Sequence, residues 1–120
     1  MSHTILLCDD ALFTRTILGT IVRNAGYTVV GEAETGTQAV EQYRKLRPDV
    51  VFMDLVMPDM SGLDATRAIR EFDPKARILM CSAMGQQQLI QAAAELGAGT
   101  FIVKPFTPDR ILAALSAAVA

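Results

Sequence analysis

The 120-residue sequence predicts an α/β fold: a doubly wound parallel sheet of five strands. Three observations point there. Short β-branched runs alternate with longer amphipathic stretches, and they do so five times without a repeat, linker or low-complexity segment. Runs such as Ile5-Leu6-Leu7-Cys8 and Val50-Val51-Phe52-Met53 are apolar throughout, as strands covered on both faces must be. Pro48, Pro58, Pro74 and Pro105 fall in the connections, where a helix cannot continue.

In chain order, the first strand is expected over residues 4–8 and the first helix over about 12–24, closed by Gly26 as a C-terminal cap. Strand 28–33 and helix 37–46 follow, ending before Pro48. Strand 50–53 leads through the Pro58 connection to a helix over 62–71, and Pro74 precedes strand 77–81. A fourth helix is expected over 87–96 with Gly97 as its cap, then strand 100–103. In the last helix, 108–119, Thr107 is the expected N-cap and Pro108 the first helical residue.

Residues 1–120, at 13.0 kDa, fit one domain and leave no room for a second, output domain. With 51% hydrophobic and 20% charged residues the chain can bury a continuous core, which excludes a disordered tail protein. Eleven basic against 13 acidic residues give a net charge of -2, no footprint for direct nucleic-acid binding. The longest apolar run, 111–115, is far short of the roughly 18 residues that span a bilayer, so no membrane insertion is expected. The N-terminus carries no signal-peptide pattern, and a cytoplasmic protein is expected. Cys8 and Cys81 lie in apolar runs without a His or second Cys at ligand spacing and read as reduced core thiols. Met53, Met57, Met60, Met80 and Met84 read as core and loop packing, and His3 stands alone near the N-terminus.

Open parallel sheets bind ligands outside the carboxyl ends of their strands. Here the first strand runs into Asp9-Asp10, the third into Asp54, the fourth into Ser82 and the fifth into Lys104, while the second ends without such a residue. A single strand-end Asp is as often a helix cap, but this set gathers at one sheet edge. Crowded carboxylates repel and resist ionisation unless a cation joins them. Three Asp and one Lys sum to -2, and oxygen ligands without His or Cys favour Mg²⁺ over zinc. A carboxylate beside Mg²⁺ can attack phosphorus to form an aspartyl phosphate. Asp54, on the central strand, is the expected nucleophile, with Asp9 and Asp10 holding metal and Ser82 and Lys104 sharing the phosphoryl oxygens.

At these residues the sequence resembles the receiver domain of two-component response regulators over essentially the whole chain. The marks occur in order: Cys8-Asp9-Asp10, Met53-Asp54-Leu55-Val56-Met57-Pro58-Asp59-Met60-Ser61-Gly62, Cys81-Ser82-Ala83 and Phe101-Ile102-Val103-Lys104-Pro105-Phe106. The resemblance implies a flavodoxin-like strand order 2-1-3-4-5 and a phosphoryl group taken from a histidine kinase onto Asp54. It implies direct Mg²⁺ ligation by Asp10, Asp54 and the Val56 backbone carbonyl, with Asp9 acting through water. It also implies Ser82 and Lys104 on the phosphoryl group and a cis Lys104-Pro105 bond. Within the family, Met80-Cys81-Ser82-Ala83-Met84-Gly85-Gln86-Gln87 and Asp9-Asp10-Ala11 resemble the stand-alone chemotaxis regulators. That resemblance implies a CheA-like kinase, a flagellar motor switch protein as output partner, a possible phosphatase, and a monomer that catalyses only its own phosphorylation and dephosphorylation.

The same resemblance makes Ser82 and Phe101 the switch: the hydroxyl moves toward the phosphate and the ring turns inward. Gln86, Gln87, Ala98, Phe101 and Lys104 would lie on or near the face that partners read. Val56 and Met84, two residues after Asp54 and Ser82, carry no group to orient attacking water, which predicts a slowly hydrolysing aspartyl phosphate. A receiver belonging to a longer regulator is the alternative reading. A dehalogenase-type aspartyl-phosphate phosphatase is a remote one, because it needs an acid/base Asp where Val56 stands.

Overall fold

The computed structural model describes residues 2–83, 88, 91, 92, 95 and 100–120. Strands β1 (Thr4–Cys8), β2 (Thr28–Ala33), β3 (Val50–Asp54), β4 (Ile78–Ala83) and β5 (Thr100–Lys104) form one parallel sheet in the order β2-β1-β3-β4-β5. Helices α1 (Leu12–Asn24), α2 (Gly36–Leu46), α3 (Gly62–Phe72) and α4 (Pro108–Val119) cover it. The fold class and strand order are those expected, and element ends differ by one or two residues. The helix expected over 87–96 lies largely outside the described residues; Gln88, Gln91, Ala92 and Glu95 are helical. Met84, Gln86, Gln87, Gly97 and Ala98 are not among those described.

Apolar side chains alternate across the sheet, and each face buries its own set. In register, Cys8 pairs with Met53 and Met53 with Met80, and these side chains pack with Ala39, Val40 and Tyr43 of α2 and Leu63, Ala65 and Ile69 of α3. On the other face Ile5, Leu7, Phe52, Leu79 and Cys81 meet Leu18 and Val22 of α1 and Ile111 and Leu115 of α4. This double burial is why the strands read as unbroken apolar runs. Cys8 and Cys81 are free and buried, on opposite faces, and burial pushes both thiols far above their ordinary pKa.

Local signals end the elements as the sequence suggests. The Thr107 hydroxyl accepts the Arg110 N–H at 3.4 Å, with Pro108 opening α4. Gly26 takes a left-handed φ of 94° after α1 and donates its N–H to the Arg23 carbonyl at 3.0 Å. No helix of the described residues is long and apolar enough to cross a membrane.

Candidate functional site

Because β1 and β3 are neighbours at the centre of the sheet, the residues that follow their paired ends, Cys8 and Met53, emerge side by side. Those residues are Asp9 and Asp54, 2% and 6% exposed. Asp10 points to solvent, and carboxylate oxygens from Asp9, Asp10 and Asp54 lie within 4.8 Å of one another. Lys104 comes from the far end of the chain through β5, and its ammonium donates to Asp9 Oδ2 at 2.8 Å and Asp54 Oδ2 at 3.2 Å. The remaining oxygens face backbone: Asp9 Oδ1 accepts the Ala11 N–H at 2.9 Å, and Asp54 Oδ1 the Val56 N–H at 3.4 Å.

The electrostatics follow from that geometry. Burial raises the Asp54 pKa above the usual carboxylate range, and the Asp9 charge adds to the rise; Lys104 and the Val56 N–H only partly offset them. Burial works against the Lys104 charge too, but hydrogen bonds and charge from Asp9 and Asp54 outweigh it and hold the ammonium protonated. Among the described residues, Lys104 thus pairs with two of the three clustered carboxylates, Asp9 and Asp54, and not with Asp10. An oxygen-only donor set, closely spaced and open to solvent through Asp10, suits a hard divalent cation such as Mg²⁺.

The other expected residues divide into two groups. Ser82 is fully buried and lies within β4, which continues to Ala83; its hydroxyl donates to the Ala83 carbonyl at 3.0 Å. The Asp54–Cys81 pairing places it one residue beyond the strand partner of Asp54. Phe101 is partly buried against the core face shared by α2 and α3, Val56 is exposed, and the Lys104-Pro105 bond is cis. Gln86, Gln87 and Ala98 fall outside the described residues.

Two features of the site were not read from the sequence. At the start of α3 the Gly62 N–H donates to the Leu55 carbonyl at 2.9 Å, and a Cβ there would sit 2.0 Å from the Asp54 carbonyl oxygen. Helix α3 and strand β3 meet so closely that only glycine fits. The second is Arg15, 5% exposed behind the Asp9-Asp10 turn. It occupies the buried stripe of α1 with Leu18, Gly19 and Val22, so helical periodicity was the signal that could have found it.

Residues 5–116 match the family described as the response regulator receiver domain. The chain belongs to that family. The chemotaxis protein CheY of Thermotoga maritima is 50% identical over 116 residues, 97% of each chain. CheY of Bacillus subtilis is likewise 50% identical over 116 residues, with 97% of each chain covered. A chain in the crystal structure of the CheX-CheY-BeF3-Mg²⁺ complex from Borrelia burgdorferi is 34% identical and superposes with a TM-score of 0.93, covering 98% of this chain and 90% of that one. Receiver domains are signalling proteins rather than conventional enzymes, and in general they bind Mg²⁺.

Proposed function

We propose that residues 1–120 form a receiver domain that accepts a phosphoryl group on Asp54 and signals by contact with other proteins, in chemotaxis. The observation that carries this reading is the Lys104 ammonium bridging the buried Asp9 and Asp54 carboxylates beside the exposed Asp10. Asp10, Asp54 and the Val56 carbonyl would hold Mg²⁺ directly and Asp9 through water; the bound ion would keep Asp54 ionised and neutralise phosphoryl oxygens. Asp54 then forms a P–O bond as the P–N bond of a phosphohistidine breaks, and the imidazole nitrogen keeps the electron pair and takes a proton from solvent. Lys104 and Ser82 hold the equatorial oxygens during transfer.

Chemotaxis is supported by the likeness to CheY proteins, with a CheA-like histidine kinase as donor, a flagellar motor switch protein as output and a phosphatase as a further partner. An apolar rim beside the site suits a protein donor. Phe13 is 77% exposed on α1, and with Ile17, Pro105 and Phe106 it lines a shallow groove reaching Lys104. Ser82 and Phe101 form the switch, and Phe101 and Lys104 contribute to the surface that partners read.

The test is mass spectrometry after treatment with acetyl phosphate and Mg²⁺. One phosphate adduct is expected, lost in Asp54→Asn; an adduct that persists in that variant refutes the assignment. Capture of purified flagellar switch protein only after phosphorylation supports the chemotaxis assignment, and equal capture without phosphorylation counts against it. The exposed Val56 side chain offers attacking water no polar group, so Val56→Asn should shorten the phosphate lifetime by a few-fold. Equal decay rates in the two proteins would remove Val56 from the account.

A further inference from the structure

We propose that Arg15 is a positioning residue that orients the Asp9-Asp10 turn for metal, an inference that rests on the metal-dependent phosphoacceptor reading. A guanidinium is seldom buried unless paired, and the pairing of this one is informative. Its Nη1 donates to the Asp9 backbone carbonyl at 2.6 Å, its Nε to Glu32 Oε1 at 2.8 Å, and its Nη2 reaches Glu34 Oε1 at 3.5 Å. One side chain of α1 therefore ties the loop that carries the acidic pair to the end of β2, the strand with no residue of its own in the site.

Every other polar handle of Asp9 is already held. Its N–H donates to the Ala33 carbonyl at 3.0 Å, Oδ1 accepts from Ala11, and Oδ2 accepts from Lys104. The Asp9 carbonyl is the handle left to Arg15, and it shares a planar peptide unit with the Asp10 N–H. Holding that carbonyl sets the direction in which the chain carries Asp10 away from the sheet. Asp10 is exposed, so its backbone must do the orienting that packing does for Asp9 and Asp54. Glu32 and Glu34, both exposed, compensate the guanidinium charge next to a site that must also accept a cation.

Charge and position predict opposite results. A guanidinium that acted only as a nearby positive charge would weaken Mg²⁺ binding, so removing it would tighten the site. A guanidinium that orients ligands strengthens binding, and residues that orient metal ligands typically account for roughly 10- to 100-fold of metal affinity. Calorimetric titration of the full chain with Mg²⁺ alone should show binding roughly tenfold weaker or worse in Arg15→Met. Arg15→Lys should weaken it in the same direction, because an ammonium keeps the charge but cannot span the three partners. The Mg²⁺ concentration for half-maximal modification by acetyl phosphate should rise by the same factor, while the rate at saturating Mg²⁺ stays within about twofold, a split that general loss of structure does not produce. Unchanged or tighter Mg²⁺ binding in a folded variant overturns the proposal, and Arg15→Lys supplies that variant if Arg15→Met does not fold. Wild-type binding that survives Asp10→Asn overturns the metal-site reading itself, and this inference with it.

Discussion

At the amino edge of the sheet, Asp49 accepts the Thr4 N–H at 2.7 Å and the Thr4 hydroxyl at 3.1 Å. Asp73, after α3, accepts the Tyr43 hydroxyl at 2.6 Å and the Lys75 N–H at 3.1 Å. These donors lower the pKa of both carboxyls, with the Thr4 N–H the main cause for Asp49 and the Tyr43 hydroxyl for Asp73. Arg47, 3.8 Å from Asp73, also lies over the Phe72 ring at 4.6 Å, closing a compact polar and aromatic cluster. At the carboxyl edge, Asp54 is more deeply buried, faces Asp9 and has its pKa raised. The same residue type thus holds strands together at one edge and stores repulsion at the other. Stability is spent at the edge where the proposed cation and phosphoryl group would supply the missing partners.

Three stability measurements would sharpen or break that contrast. The largest effect is expected at the crowded carboxyl edge, where Gly62→Ala should cost about 3 kcal/mol in urea unfolding, since its methyl meets the backbone of Asp54. A cost under about 1 kcal/mol would mean that α3 withdraws easily and that the close approach is not a constraint.

Next, Asp54→Asn should stabilise the metal-free protein at pH 7 by on the order of 1 kcal/mol. The folded-state pKa of Asp54 lies above its unfolded value of about 3.9, so the native state binds the extra proton between the two. The contribution of Asp54 is therefore most favourable below the unfolded value and is lost as pH rises through the folded one. The gain in Asp54→Asn should fade toward pH 3 to 4, roughly the unfolded range. A variant less stable than wild type at pH 7 would contradict the stored repulsion.

The smallest effect belongs to the amino edge and has the opposite pH sign. Asp49→Asn should lose about 0.5 to 1 kcal/mol at pH 7, a modest figure because Asp49 is partly exposed. Its folded pKa lies below the unfolded value, so this stability is present above about pH 4 and disappears as pH falls through the folded value. If acid melting curves of the two proteins stay parallel, Thr4 is not the partner that sets the Asp49 pKa.

Much of the site was legible because its residues follow apolar runs directly. Asp9, Asp10, Asp54 and Lys104 stand where strands β1, β3 and β5 end, and a parallel sheet brings such positions to one edge. Ser82 was legible as a residue, but β4 runs two residues past the expected end, to Ala83, and takes the hydroxyl into the strand. Arg15 went unread because a lone arginine in an amphipathic helix ordinarily reaches solvent, and only the approach of Glu32 and Glu34 from β2 and the loop after it makes its burial tolerable. Gly62 looked like a helix start. What requires glycine there is the Asp54 carbonyl, a contact between backbones that side-chain patterns do not encode.

The sequence by itself determined the order and type of the described elements, because hydrophobic periodicity and prolines act within a few residues of where they stand. It also determined which side chains reach the sheet edge. Only the tertiary structure decided how they meet. Lys104 binds Asp9 across 95 residues of chain and Asp54 across 50, and Arg15 joins Asp9 to Glu32 and Glu34. These contacts depend on β1 lying between β2 and β3, and on helices closing over both faces. Burial then does what no local pattern can: it removes water from between the charges, so that a bridging lysine and a raised carboxyl pKa arise from residues that would behave ordinarily in solution.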